Sequence, residues 1–437
     1  MRRKRVLKQV KLPNGGIIYY AKNRITDVTY ININFPCGAR VEPIPGLAHL
    51  VEHMMFTGTE SHTKQELNDI ASRFGSENAA TSWRAISFRG DVLNNDIKNY
   101  LVYAEECINH SLLTQKLLDD ERKVVLQEIK TYEDKYDQKN DYENYYNIYK
   151  QKFLKGRILG DEKSVNSIKP QDVRAFAEKW FVANNMEATI VSPLPLRKVK
   201  KLIVENFYSK LKVVDGFEKL PINYLSIEDD SFYTVKNENI KKTYITLNVK
   251  LNHGFCEEDY SWFNKFGLVL SYLRDLSHGV NRKLRTEKNL VYGCWVFTLT
   301  VEKEGMLGFA TECDKKNVNE ILKTMSEYIS NLVANGLDEG TITKIKEKSK
   351  FTLAAKEPKV STYFNLLADL KLYNKIFNSK KNREERLATT VEELNGMVKE
   401  VFENAKVSAT IYGDADKKDV MTKAEFNKLF KTKTVKK

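Results

Sequence analysis

Two periodicities alternate along the chain. Residues 27–36 read Asp27-Val28-Thr29-Tyr30-Ile31-Asn32-Ile33-Asn34-Phe35-Pro36, the apolar/polar alternation of a half-buried strand. Upstream, residues 6–12 and Ile17-Ile18-Tyr19-Tyr20 flank Pro13-Asn14-Gly15-Gly16, which predicts a hairpin. Residues 78–83, 85–90 and 187–191 give further strands. Helical spacing covers residues 46–56, 63–74, 96–112, 115–134, 170–180 and 196–211. Leu117, Leu118, Val124, Val125 and Ile129 mark the buried stripe of the fourth of these. The polar stretch 135–155, rich in tyrosine, is expected to be helical, and 160–169 to be a loop. Residues 212–240 read as a connector with a strand-like piece at Tyr233-Thr234-Val235.

The second half restarts the pattern. Thr243-Tyr244-Ile245-Thr246-Leu247-Asn248-Val249 resembles Thr29-Tyr30-Ile31-Asn32-Ile33-Asn34-Phe35 at an offset of 214 residues, which points to an internal duplication. A helix end at 280–286, strands at 295–301, 308–312 and 408–413, and helices at 317–335, 338–355 and 389–402 follow. The expected organisation is two domains, 1–215 and 241–437, joined through 216–240.

Composition adds exclusions. The 437 residues are 42% hydrophobic and 30% charged, as in a folded globular chain. No apolar run approaches the roughly 20 residues that cross a bilayer, and Arg2 to Arg5 lead into no apolar signal core. A cytoplasmic location, without membrane attachment, is the expectation. Five scattered cysteines suit reduced thiols rather than a disulfide framework. The net charge of +13 is partly terminal and belongs to no recognisable nucleic-acid module, so no nucleic-acid partner is expected.

The chemistry concentrates in Gly46-Leu47-Ala48-His49-Leu50-Val51-Glu52-His53-Met54-Met55-Phe56. His49 and His53 are four apart and project from one helix face, the separation at which two imidazoles hold one divalent ion. Glu52 lies beside them, where a carboxylate can take a proton from water. His-x-x-Glu-His is the inverted zincin string. Two histidines at this spacing can also face solvent or core, but uncompensated imidazoles in so apolar a helix are costly. A third ligand must come from an element packed on this helix. The helix over 115–134 offers Glu121 and Glu128, seven apart and almost in line, and its periodicity leaves both open. The offset of 214 carries His49 to Phe263, so the second half keeps the architecture without the ligands. No serine triad or glycine-rich phosphate loop is found.

These residues resemble the M16 family of inverzincin peptidases, relatives of insulysin and of the mitochondrial processing peptidase β subunit. The resemblance runs from Gly38-Ala39-Arg40-x-Glu42 through the histidine helix, Asn78-Ala79-Ala80-Thr81-Ser82 and Glu121-Arg122-Lys123-Val124-Val125-Leu126-Gln127-Glu128 to Arg285-Thr286-Glu287-Lys288-Asn289-Leu290-Val291-Tyr292. It implies an α+β fold (LuxS/MPP-like) of two homologous domains, each a mainly antiparallel sheet with helices on one face. It assigns one zinc ion per chain to His49, His53 and Glu128, with Glu121 in support and Glu52 as the base. It gives Asn78, Ala79, Ala80 and Thr81 to the strand that pairs with substrate, and it gives Arg285 and Tyr292 a catalytic role at the bound peptide, assisting in holding the tetrahedral oxyanion. The implied activity is endopeptidase cleavage of unfolded peptides, or of a precursor, within an enclosed chamber. A homodimer is expected, because the metal motif and the Arg285/Tyr292 pair lie on one chain; a glycine-rich loop typical of the non-catalytic processing subunit is absent. The alternatives are a heterodimer with a second such chain, and a non-catalytic subunit that binds peptides or serves assembly.

Overall fold

In a computed structural model of the protein, the described residues are 6–23, 26–133, 143, 144, 148, 158–220, 231–254, 258–300, 304–356, 359–373, 375, 379–403 and 405–430. They divide into two compact units, each built on one sheet.

The first unit draws on the spans Met1–Asp134, Gly156–Pro221 and Glu357–Ile376. Its strands are β1 (Leu7–Lys11), β2 (Ile17–Lys22), β3 (Val28–Phe35), β4 (Ser76–Thr81), β5 (Ile86–Leu93) and β6 (Glu187–Ser192). Their order is β1-β2-β6-β3-β5-β4, and every neighbouring pair but β2–β6 is antiparallel. The predicted alternation is what splits the sheet between two environments. Ile18 and Tyr20 on β2, with Ile31, Ile33 and Phe35 on β3, enter the main core. There they meet α1 (Leu47–Met54), α3 (Ile97–Asn109) and α4 (Gln115–Glu133). The short α2 (Lys64–Ala71) is closed at its start by the capping box of Thr63 and Glu66.

Tyr19 and Ala21, one residue out of phase, face the opposite side with Leu7 and Val191. That side is covered by Tyr363, Leu367 and Leu370 of the helix Val360–Tyr373, which returns from the far end of the sequence. Each such residue taken from water contributes roughly 1.5–3 kcal/mol, so the first sheet depends on chain that the sequence places in the second half.

The second unit has β7 (Phe232–Lys236), β8 (Thr243–Leu251), β9 (Cys294–Thr300), β10 (Gly305–Cys313) and β11 (Val407–Gly413), in the order β7-β11-β8-β10-β9. Again one pair, β7–β11, is parallel, and the rest are antiparallel. It is the order β2-β6-β3-β5-β4 repeated, as the duplication in sequence implies. The helix Tyr260–Leu273 follows β8 as α1 follows β3, and carries Trp262, Phe263 and Phe266 in place of histidines.

Differences from expectation are local. Residues 160–169 are not a loop, since Glu162–Ser167 is a helix capped by Asp161, whose Oδ1 accepts from Ser164 N at 2.8 Å. The strand-like piece expected at Tyr233-Thr234-Val235 is present, as β7 on the edge of the second sheet. Helices Val360–Tyr373, Ser379–Ala388 and Lys423–Phe430 were not anticipated by the periodicity. The expected helix over 135–155 lies almost wholly outside the described residues. Cys37, Cys107, Cys294 and Cys313 are buried free thiols. Among the described residues no helix is long and apolar enough to cross a membrane.

Candidate metal centre

The histidine helix is held from its first turn. Gly46, at its start, sits at φ +86°, and a Cβ there would come within 2.6 Å of Leu159 O, so only glycine fits. Gly46 offers no side chain to cap α1, and Glu42 does so instead. Its Oε1 accepts from Gly46 N and its Oε2 from Ala48 N, both at 2.9 Å, so both oxygens satisfy otherwise orphaned donors. Burial pushes the Glu42 carboxyl up to about 7 against those two hydrogen bonds. All of α1 except His53 is buried, which fixes the rotation of the helix about its axis.

From that platform the structure brings three predicted residues together. One ligand atom each from His49, His53 and Glu128 lies within 4.8 Å of the others. Glu128 Oε2 is 3.7 Å from His49 Nε2 and 3.6 Å from His53 Nε2. Such separations are too long for hydrogen bonds. They suit a shared ion, since two ligands at about 2.1 Å from a tetrahedral centre stand about 3.4 Å apart.

The protonation pattern fits as well. His53 Nδ1 lies 2.9 Å from Glu121 Oε1, so in the neutral ring that a metal would bind the proton sits on Nδ1 and Nε2 is the ligating atom. His49 is driven down to about 4, first by burial and then by the charge of His53, so its imidazole stays neutral and able to ligate. Burial works against a charged His53, but the Glu121 and Glu128 carboxylates outweigh it and lift the ring to about 9. Metal binding would therefore release a proton there. Two imidazoles and one carboxylate, with Glu128 half exposed on the open side, make a zinc-type donor set with a position to spare.

The surrounding groups hold these three in place. Glu121 is itself buried, with its Oε2 accepting from Lys64 Nζ at 2.8 Å. Burial raises its pKa, but His53 and Lys64 together hold the carboxyl below the ordinary range. Glu52 is buried beside the cluster, and Thr81 Oγ1 donates to its Oε2 at 2.5 Å. Burial raises the Glu52 pKa, with Thr81 opposing. Glu77, two strand positions from Ala79, is raised to about 7 by burial and then by the charge of Glu52.

On the edge strand β4, Asn78 is exposed while Ala79, Ala80 and Thr81 are half buried. Arg285 and Tyr292 lie in the second unit, where the guanidinium carbon sits 4.8 Å from the ring centroid of Tyr292. Tyr292 is 76% exposed and so is no core tyrosine. Sequence reasoning missed two of these supports. Lys64 shows no signal beyond its place at the start of a helix. The side chain of Thr81 was findable, because period two puts Glu77, Ala79 and Thr81 on one face of β4.

Fold and cluster together define an α+β chain of two matching sheets with, among the described residues, one three-ligand centre on its first half. The family model described as insulinase (peptidase family M16) matches residues 17–162, and that described as the peptidase M16 inactive domain matches residues 167–349. The chain belongs to peptidase family M16. It is 22% identical over 419 residues to the uncharacterised zinc protease YmxG of Bacillus subtilis, covering 91% of this chain and 96% of that one. It is 28% identical over 180 residues to the mitochondrial-processing peptidase subunit beta of Saccharomyces cerevisiae, covering 40% of this chain and 39% of that one. Among solved structures, a protease from Helicobacter pylori superposes with a TM-score of 0.80 at 18% identity, over 94% of this chain and 99% of the other. The periplasmic protease PqqL of Escherichia coli also gives 0.80 at 18% identity, over 98% of this chain but 50% of its own length.

Proposed function

We propose that this chain is a zinc-dependent endopeptidase acting on unfolded peptides, with one ion held by His49, His53 and Glu128. The observation that carries the reading is the convergence of those three ligand atoms within 4.8 Å, with the buried Glu52 beside them. A zinc ion bound there supplies a Lewis acid and brings the pKa of a water it holds to about 7. Glu52 takes the proton as water attacks the peptide carbonyl and returns it to the leaving amine. Glu121 keeps His53 in the ligating tautomer, and Lys64 keeps Glu121 charged.

The substrate adds as an extended strand along Asn78, Ala79, Ala80 and Thr81, a mode that reads backbone before sequence and so favours unfolded chains. The family resemblance gives Arg285 and Tyr292 to the bound peptide, and their exposure suits a ligand. Two copies of this chain form the working particle. In support, PqqL is twice the length that this chain matches.

The test is cleavage of a quenched, unstructured peptide with and without chelator, beside Glu52→Gln. Chelator-sensitive cleavage that falls at least about 100-fold in Glu52→Gln, with zinc retained, is expected. Full cleavage by Glu52→Gln refutes the base assignment. Bound zinc without cleavage by the wild type favours the binding or assembly role.

A further inference from the structure

We propose that Thr81 is a positioning residue that ties the substrate-pairing strand to the general base. This rests on the endopeptidase reading, and it separates two jobs within a residue so far given only to substrate binding. Ser82 N donates to Ala85 O at 2.9 Å and closes the β4–β5 hairpin as a hydrogen-bonded pair. Along an antiparallel ladder such pairs alternate with non-bonded ones. In the observed register the pair Thr81–Ile86 is therefore non-bonded, Ala80–Ser87 bonded and Ala79–Phe88 non-bonded. Since β4 is the outer strand, Thr81 and Ala79 turn their N–H and C=O groups away from the sheet, toward the side where an added strand would pair.

The Thr81 side chain points elsewhere. Its hydroxyl donates to Glu52 Oε2 at 2.5 Å, which fixes one carboxylate oxygen and leaves Oε1 for the proton transfer. Two features keep the hydroxyl from wandering. A β-branched residue in a strand has few χ1 choices. The next residue is anchored too, since Ser82 O accepts from Ala39 N at 3.0 Å. A peptide that pairs with the Thr81 main chain is thereby registered against the carboxylate that Thr81 holds, so the base and the scissile carbonyl share one mechanical reference. A misplacement near 1 Å at such a point costs on the order of 100-fold in rate.

The experiment compares Thr81→Val, which keeps the β-branch and the strand preference but has no hydroxyl, with Thr81→Ser, which keeps the hydroxyl. Steady-state cleavage of an unstructured peptide, zinc content and crystal structures of wild type and both variants are read together. Expected are a kcat lower by about 10- to 100-fold in Thr81→Val with KM within about twofold, unchanged zinc, and recovery of most of the loss in Thr81→Ser. The Glu52 carboxylate should leave its wild-type rotamer in Thr81→Val and keep it in Thr81→Ser. An unchanged kcat, or a raised KM at constant kcat, overturns the proposal and returns Thr81 to substrate binding alone. If the wild type cleaves nothing, the endopeptidase reading fails and the structures decide the positioning role alone. A Glu52 rotamer that moves in Thr81→Val then supports it, and an unmoved one overturns it.

Discussion

Glu121→Gln is the perturbation whose consequence the site defines most closely. Glu121 spends both oxygens, with His53 Nδ1 at 2.9 Å on one and Lys64 Nζ at 2.8 Å on the other. Glutamine keeps the shape and can still accept one of these bonds. Its amide nitrogen then faces a second donor, and the buried negative charge that makes His53 a stronger ligand is gone. Loss of such a partner to a metal-binding histidine costs about 10- to 100-fold in metal affinity, or about 1.4–2.7 kcal/mol. Lys64 is 51% exposed, and solvent screens its ion pair, so Lys64→Met should weaken affinity by no more than about threefold. The assay is competition for zinc against a chromophoric chelator, for wild type and both variants at one pH. Affinity within twofold of wild type in Glu121→Gln would refute the idea that this carboxylate orients and strengthens His53.

Other parts of the molecule make separate demands. In the second unit His253 is clasped by Asp259 Oδ1 at 2.7 Å and Glu400 Oε1 at 2.5 Å, and stacks on Trp262. Burial lowers its pKa, but the two carboxylates prevail and raise it. The folded pKa thus exceeds the unfolded value of 6.5. The stabilisation is complete below pH 6.5 and is lost as pH rises through the higher folded value. Thermal melts of His253→Gln should fall below wild type at pH 6 and approach it at alkaline pH, and a constant gap would contradict the linkage. Leu367→Ala removes a side chain that is 1% exposed on the outer face of the first sheet. It should cost about 2–5 kcal/mol in denaturant unfolding, and a loss below 1 kcal/mol would show that the returning helix is dispensable there.

What could be read from sequence was what is local. His49, Glu52 and His53 lie within five residues on one helix, so their mutual geometry follows from helical pitch alone. The strands at 27–36 and 243–249 were legible by alternation, and the shared order of the two sheets follows from the repeat they announce. The choice between Glu121 and Glu128 was not legible from periodicity, because residues two turns apart occupy almost the same face. Which turn meets α1 depends on how α1 and α4 cross, and the structure sets Glu128 beside both Nε2 atoms and Glu121 behind His53.

The helix Val360–Tyr373 escaped for the same reason at longer range, since its partners Tyr19, Tyr30 and Val191 lie in the first half of the chain. The helix over Glu162–Ser167 was missed although Asp161 and Ser164 spell its capping box, a signal too short to outweigh the surrounding glycine and polar residues.

The assignment of the metal centre meets its most direct test in metal content. Purified wild type and Glu128→Gln, stripped with chelator and then dialysed against zinc, are compared by elemental analysis per folded chain. One zinc per chain in the wild type, with affinity reduced by at least about 100-fold in Glu128→Gln, is the result predicted. A wild type that folds but takes up no zinc, or a Glu128→Gln variant that binds it as tightly, would contradict the assignment of His49, His53 and Glu128.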